Sequence, residues 1–159
     1  SQKTSGVIIL WYNFCMDIKI HRAVGEDYEK VIKLYGEFVE DTKRYTNLDN
    51  DSYLKAIDDP NFYIDLAVSD DIIIGFITYS IRTVVRYPKP IMEVEEFYVS
   101  PNHRRGGVGR KLFQNTLDFS KETNCQYVFL ASSKDRPTAH KFYKSFDFDE
   151  YALHFRRQP

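Results

Sequence analysis

Between Arg104 and Arg110 the chain places Gly106, Gly107 and Gly109, three of its seven glycines, among three arginines. The run Phe97, Tyr98, Val99 precedes this segment as a strand would, Pro101 breaks it, and an apolar-periodic helix comes next. Amide N–H groups at a helix start have no partner within the helix, and the helix dipole adds partial positive charge there. A strand, a glycine loop and a helix in that order therefore make a seat for an anion, a phosphate above all. Glycines let the backbone come close to such a ligand, and Arg104, Arg105 and Arg110 add full charges at its rim. The segment lacks the Lys-Ser/Thr pair of a P-loop and the G-x-G-x-x-G order of a dinucleotide fold. A second group lies just upstream, where Glu93, Glu95 and Glu96 fall within four positions. Crowded carboxylates raise one another's pKa, which suits a base working near neutrality. Strict alternation would put Glu93 and Glu95 on one face of a strand and Glu96 with Tyr98 on the other.

Both groups need elements to position them. Residues 17–24 alternate as a half-buried strand, and residues 26–40 place Tyr28, Val31, Ile32, Tyr35, Phe38 and Val39 on one helical stripe. A short helix is expected over 50–58, then two strands around the turn Ser69-Asp70-Asp71, then a strand over 91–99. A helix over 107–122 succeeds the glycine loop. Residues 126–132 read as a central strand with both faces covered. A helix over 136–146 carries Ala139, Phe142, Tyr143 and Phe146 on one face, and 151–157 alternates as a last strand. The fold class is α/β, as one domain with a mixed sheet.

With 159 residues, 43% hydrophobic and 28% charged, the chain has the composition of an ordinary globular domain. A net charge of -1 argues against a nucleic-acid partner. Cys15 and Cys125 make no disulfide framework, and with four scattered histidines they show no metal-ligand spacing. No metal is expected, and a reducing, cytoplasmic setting is the default. The apolar run from Val7 to Trp11 is too short to span a bilayer, so no membrane partner is expected. Residues 1–15 differ in character from the rest of the chain and read as an extension or leader, with the domain running from 16 to 159.

The segment from Tyr98 to Leu112 resembles the acetyl-CoA signature [QR]-x-x-G-x-[GA] of the GNAT superfamily, the Gcn5-related N-acetyltransferases. The order of elements is similar over about residues 17–157. Residues 136–148 resemble the later family helix N-x-x-A-x-x-F-Y-x-x-x-G-F, with Arg136 in place of Asn and Asp147 in place of Gly. The resemblance implies a central sheet that is mostly antiparallel, flanked by helices, and acetyl-CoA as cosubstrate. It implies that Phe97, Tyr98 and Val99 hold the pantetheine arm through their backbone. It gives Arg104, Arg105, Gly106, Gly107, Val108, Gly109 and Arg110 the pyrophosphate. Ser132 and Arg136, with Ser133, would lie near the pantetheine and the outer parts of the cofactor, although the change from Asn puts one side-chain contact in doubt.

The same resemblance implies the catalytic groups. Related small-amine acetyltransferases carry their proposed base at the position of Glu95, and Glu96 is the second candidate because the family commonly has a bulge in this strand. The family's Phe-Tyr pair, here Phe142-Tyr143, puts the tyrosine near the coenzyme sulfur as a proton donor, although its spacing is also that of a buried core face. Glu37, Glu40, Asp41, Asp49 and Asp51 could attract a cationic substrate or form a solvated face. The expected activity is direct acetyl transfer to the primary amine of a small molecule, with similarity to aminoalkylphosphonate N-acetyltransferases. A protein or peptide acetyltransferase and a non-catalytic acyl-CoA-binding module are the alternatives. Dimers are common in the family, so the resemblance admits a homodimer.

Overall fold

A computed structural model of the chain describes residues 17–43 and 47–159. Strand β1 (Lys19–Arg22) leads through a short 3-10 turn into helix α1 (Tyr28–Thr42), which ends where Lys43 turns left-handed at φ 52°. Helix α2 (Asn50–Asp58) is started by Asp49, whose carboxylate accepts the Ser52 amide at 2.9 Å. Strands β2 (Phe62–Ser69) and β3 (Ile72–Arg82) form a hairpin closed by Asp70 and Asp71, both at positive φ. That is the backbone a two-residue hairpin requires, and aspartate tolerates it better than branched residues do. Strand β4 (Ile91–Val99), helix α3 (Val108–Glu122), strand β5 (Tyr127–Leu130) and helix α4 (Pro137–Lys144) complete the order.

The five strands lie in the order β1-β2-β3-β4-β5, antiparallel except for the parallel pair β4–β5. Each face of the sheet has its own core. On one, Val31, Leu34 and Phe38 of α1 and Tyr53 of α2 pack on Leu66, Phe76 and Tyr98. On the other, Leu112 and Phe113 of α3 pack on Ile77, Tyr79, Met92, Val94 and Val99, with Phe142 and Tyr143 of α4 and Phe146 just past its end against them. The buried stripe of α1 is centred on Leu34, one position round from the stripe read in the sequence.

Two expectations are corrected. Residues 126–132 do not form a central strand, because β5 is four residues long and lies at the sheet edge beside β4 alone. Its apolar character comes instead from an aromatic cluster in which Tyr127 and Phe129 meet Tyr87 and Tyr151. The tail 151–157 forms no strand, and Tyr151, Leu153 and Phe155 stand 73%, 69% and 83% exposed. Alternation marks the side chains that could share a face, but a strand exists only where a neighbour's ladder pairs with it. The expected extension over 1–15 lies outside the described residues.

Candidate active site

Strand β4 builds the site through two irregularities. It pairs with β5 only from Ile91 to Val94, opposite Tyr127 to Leu130, and then continues to Val99 alongside β3 alone. Beyond Val94 the parallel strands part, and the backbone of Glu95 to Val99 has no strand on its β5 side. At the same place the register with β3 slips: Tyr79 faces Val94 and Thr78 faces Glu96, leaving Glu95 as the extra residue of a bulge. The inserted residue resets the parity. Phe97 packs toward α3 and α4, with ring centroids 5.5 Å from Phe113 and from Phe142. All three glutamates meet partners on the other face, along β3. Arg82 Nη2 donates to Glu93 at 2.7 Å, and Ser80 Oγ donates to Glu95 at 3.3 Å. Thr78 Oγ1 donates to one oxygen of Glu96 at 2.5 Å and Tyr35 of α1 donates to the other at 3.1 Å.

These carboxylates are unequal. Partial burial of the Glu95 carboxylate, then the charge of Glu93, push its pKa above the ordinary carboxylate range. The Ser80 hydrogen bond opposes that push, Glu96 adds to it, and Arg82 opposes it. Glu96 instead has both oxygens held by hydroxyls. Sequence reasoning missed Tyr35, Thr78 and Ser80 as site residues. The signal that could have found them is a hydroxyl-bearing residue on a strand or helix face that is otherwise apolar.

After Val99 a 3-10 turn (Pro101–His103) leads into the glycine loop, where Arg105 and Gly107 take φ of 66° and 81°. No side chain caps α3, and its first helical bond runs from the Lys111 amide to Gly107 O at 2.9 Å. The amides of Val108, Gly109 and Arg110 therefore precede the ladder and are available to an anion. The glycines do different work. A Cβ on Gly107 would meet nothing within 4 Å, whereas one on Gly109 would come within 3.3 Å of Phe97 Cζ and 3.6 Å of Val99 Cγ2. Gly107 supplies a left-handed turn beside open space, and Gly109 lets α3 settle onto β4. The side chains of Val108 and Tyr98 are buried, so only their backbones could reach a ligand in the parting of the strands.

Arg104 and Arg110 already have partners. Arg104 donates through Nε to Val99 O at 2.9 Å and through Nη2 to Asp41 of α1 at 2.8 Å, with its guanidinium 5.3 Å above the Tyr98 ring. Arg110 donates to Ser145 Oγ at 3.1 Å and lies 4.7 Å over the Phe146 ring. Glu37 accepts the Ser100 hydroxyl at 2.9 Å. Glu37 and Asp41, both exposed, are thus engaged with the loop.

Tyr143 sits in α4 against Phe113 at 5.7 Å and Phe148 at 6.4 Å. Burial raises its phenol above the usual pKa, and the positive charge of Arg136 opposes the rise. A phenol so placed is protonated at neutral pH and can donate. Ser132 lies in the connection from β5 to α4. Neighbouring Ser133 accepts at its carbonyl from the Arg136 amide at 3.1 Å, with His140 Nε2 2.9 Å from the same oxygen.

Comparison with known families matches residues 23–148 to the acetyltransferase (GNAT) family. The chain belongs to the GNAT family. It is an N-acetyltransferase, as are its named relatives. An uncharacterized N-acetyltransferase of Archaeoglobus fulgidus is 24% identical over 82% of this chain and 92% of its own. An aminoalkylphosphonate N-acetyltransferase of Salmonella typhimurium is 23% identical over 79% of this chain and 80% of its own. Among solved structures, an aminoglycoside acetyltransferase from an uncultured soil metagenomic sample, in complex with trehalose, is 27% identical. It superposes with a TM-score of 0.79 over 89% of this chain and 96% of its own. The matched residues include the bulged strand, the glycine loop and α4. GNAT enzymes use acetyl-CoA as cosubstrate and move its acetyl group to an amine. Among the described residues no group of three or more His, Cys, Asp or Glu could hold a metal ion. No described helix is long and apolar enough to cross a membrane.

Proposed function

We propose that this GNAT enzyme acetylates the primary amine of a small molecule by direct transfer from acetyl-CoA. The observation that carries the reading is the coincidence, at Glu95, of the bulge and the parting of β4 from β5. One irregular step provides an unpaired backbone edge for a cosubstrate and turns three carboxylates to the face where α1 packs. The residues fit the cosubstrate: the loop offers uncapped amides next to the open side of Gly107. The backbone of Phe97, Tyr98 and Val99 would hold the pantetheine arm, and the loop from Arg104 to Arg110 the pyrophosphate. Ser132 and Arg136 would border the outer parts. Acetyl-CoA supplies the acetyl group as a thioester.

An amine must lose its proton to attack, and Glu95, with its raised pKa, is suited to take it near neutrality. Glu96, fixed by Tyr35 and Thr78, would hold a cationic amine beside it and is the second candidate for base. Tyr143 is suited to give a proton to the departing thiolate. Small amines are favoured as acceptors because two relatives are named for an aminoalkylphosphonate and for aminoglycosides. The test is a panel of aminoalkylphosphonates, aminoglycosides, polyamines and lysine-bearing peptides, with acetyl-CoA and release of free thiol as the readout. Turnover with a small amine is the expected result. Turnover confined to peptides, or none with any amine, would overturn the proposal.

A further inference from the structure

Three basic residues at the loop and the start of α3 are tied to neighbouring elements. Arg104 is tied to α1 through Asp41, Arg110 to Ser145 at the C-cap of α4, and Lys111 to the Ile18 carbonyl just before β1. Of these, Arg104 has the most partners. Its Nε bond to Val99 O closes the turn over Ser100 to His103, its Nη2 reaches Asp41, and its plane covers Tyr98. One turn earlier on α1, Glu37 grips Ser100. Both pairs are spaced by four residues, so one face of α1 holds both ends of the turn. These three contacts hold the guanidinium on the side of the turn where Tyr98 packs on Phe38 of α1.

We propose that Asp41 is a positioning residue for cosubstrate binding, acting through Arg104, and that Arg104 braces the loop and is not a phosphate ligand. This rests on the reading of the loop as the acetyl-CoA seat. Helix amides and Arg105 then meet the phosphates, while the brace presents those amides in a binding geometry before the ligand arrives. Preorganisation of this kind strengthens binding without adding a contact. It also joins α1, which carries Tyr35 beside Glu96, to the loop as one unit.

Calorimetry with acetyl-CoA on the wild type, Asp41→Asn, Arg104→Gln and the double variant tests the brace. Each single change should raise Kd about fivefold, the scale of one partly exposed ion pair. The double variant should be no worse than Arg104→Gln alone, because both changes break the same link. Asp41→Glu should recover most of the affinity, and kcat at saturating acetyl-CoA should stay at the wild-type value in Asp41→Asn. A loss in Arg104→Gln that persists undiminished in the Asp41→Asn background would make Arg104 a direct ligand and overturn the proposal. So would tighter binding by Asp41→Asn, or unchanged Kd throughout. If the wild type binds no acetyl-CoA, the functional reading fails by itself. Amide hydrogen exchange over residues 100–107 of the ligand-free protein still decides the brace. It should quicken in Asp41→Asn and Arg104→Gln but not in Arg105→Gln, and equal exchange in all of them would refute it.

Discussion

In the proposed reaction Tyr143 and Glu95 carry opposite demands, one to keep a proton at neutral pH and one to give it up. Burial keeps the Tyr143 phenol protonated, and its ring also packs on Phe113. Replacing Tyr143 by Phe removes one oxygen and leaves that packing. Melting temperature and acetyl-CoA affinity should hold, while kcat falls at least about tenfold, the low side of general-acid help. An unchanged kcat with chemistry rate-limiting would return Tyr143 to the core. For Glu95 the raised pKa has a consequence for stability. The folded state binds the proton more tightly than the unfolded chain, so stability falls as pH rises from the unfolded to the folded pKa. The whole penalty is present once pH lies above the folded-state pKa. Glu95→Gln should therefore melt higher than wild type at pH 7, with the gain vanishing below the ordinary carboxylate range. Its turnover should drop at neutral pH and recover partly at high pH, where the free amine is abundant. Calorimetric scans and pH–rate profiles on one pair of proteins check both.

At the scale of elements, the junction of β4 with α3 depends on two glycines that fail differently. Gly109→Val should push α3 off Phe97 and Val99, lowering the melting temperature together with acetyl-CoA affinity. Gly107→Val meets no neighbour but forces a branched residue to a φ of 81°. Its cost is backbone strain of order 1–3 kcal/mol and a distorted anion seat. Affinity loss out of proportion to the change in stability should mark Gly107, measured by calorimetry beside thermal melts. One turn further along the same face of α3, Phe113 meets Phe97, Phe142, Tyr143, Phe146 and Phe148. Truncating it to Ala should cost about 3–5 kcal/mol in denaturant unfolding and detach α4 from the sheet.

Across the whole molecule, one buried carboxylate ties distant parts together. Asp65 of β2 accepts from Arg22 Nε of β1 at 2.7 Å, Tyr79 OH of β3 at 2.7 Å and Asn115 Nδ2 of α3 at 3.3 Å. The Arg22 guanidinium also lies 4.5 Å over Tyr63 and 5.0 Å over Phe119. Removing the carboxylate takes a partner from all three at once and leaves the Tyr79 hydroxyl its bond from Arg22 Nη2 at 3.0 Å. Asp65→Ala should destabilise by about 3–5 kcal/mol in urea titration, with thermal unfolding reporting the same direction. A loss under about 1 kcal/mol would mean that solvent replaces the lost partner.

Local physics was legible in the sequence. The glycine and arginine types between Arg104 and Arg110, the helix period of α3 and the Asp70-Asp71 turn depend on neighbours along the chain. So did the family, because its motifs are contiguous. Long-range placement was not legible. Alternation separated Glu95 from Glu96, and only pairing with β3 reveals the bulge that returns them to one face. The tail alternates as a strand should, yet no ladder takes it up. Asp41 and Arg104 are 63 residues apart, so nothing local distinguishes a brace from two solvated charges. Chain composition sets which bonds a residue can make. The packing of α1 against the β4 turn decides which of them it does make, because burial and pairing are properties of the assembled sheet and helices.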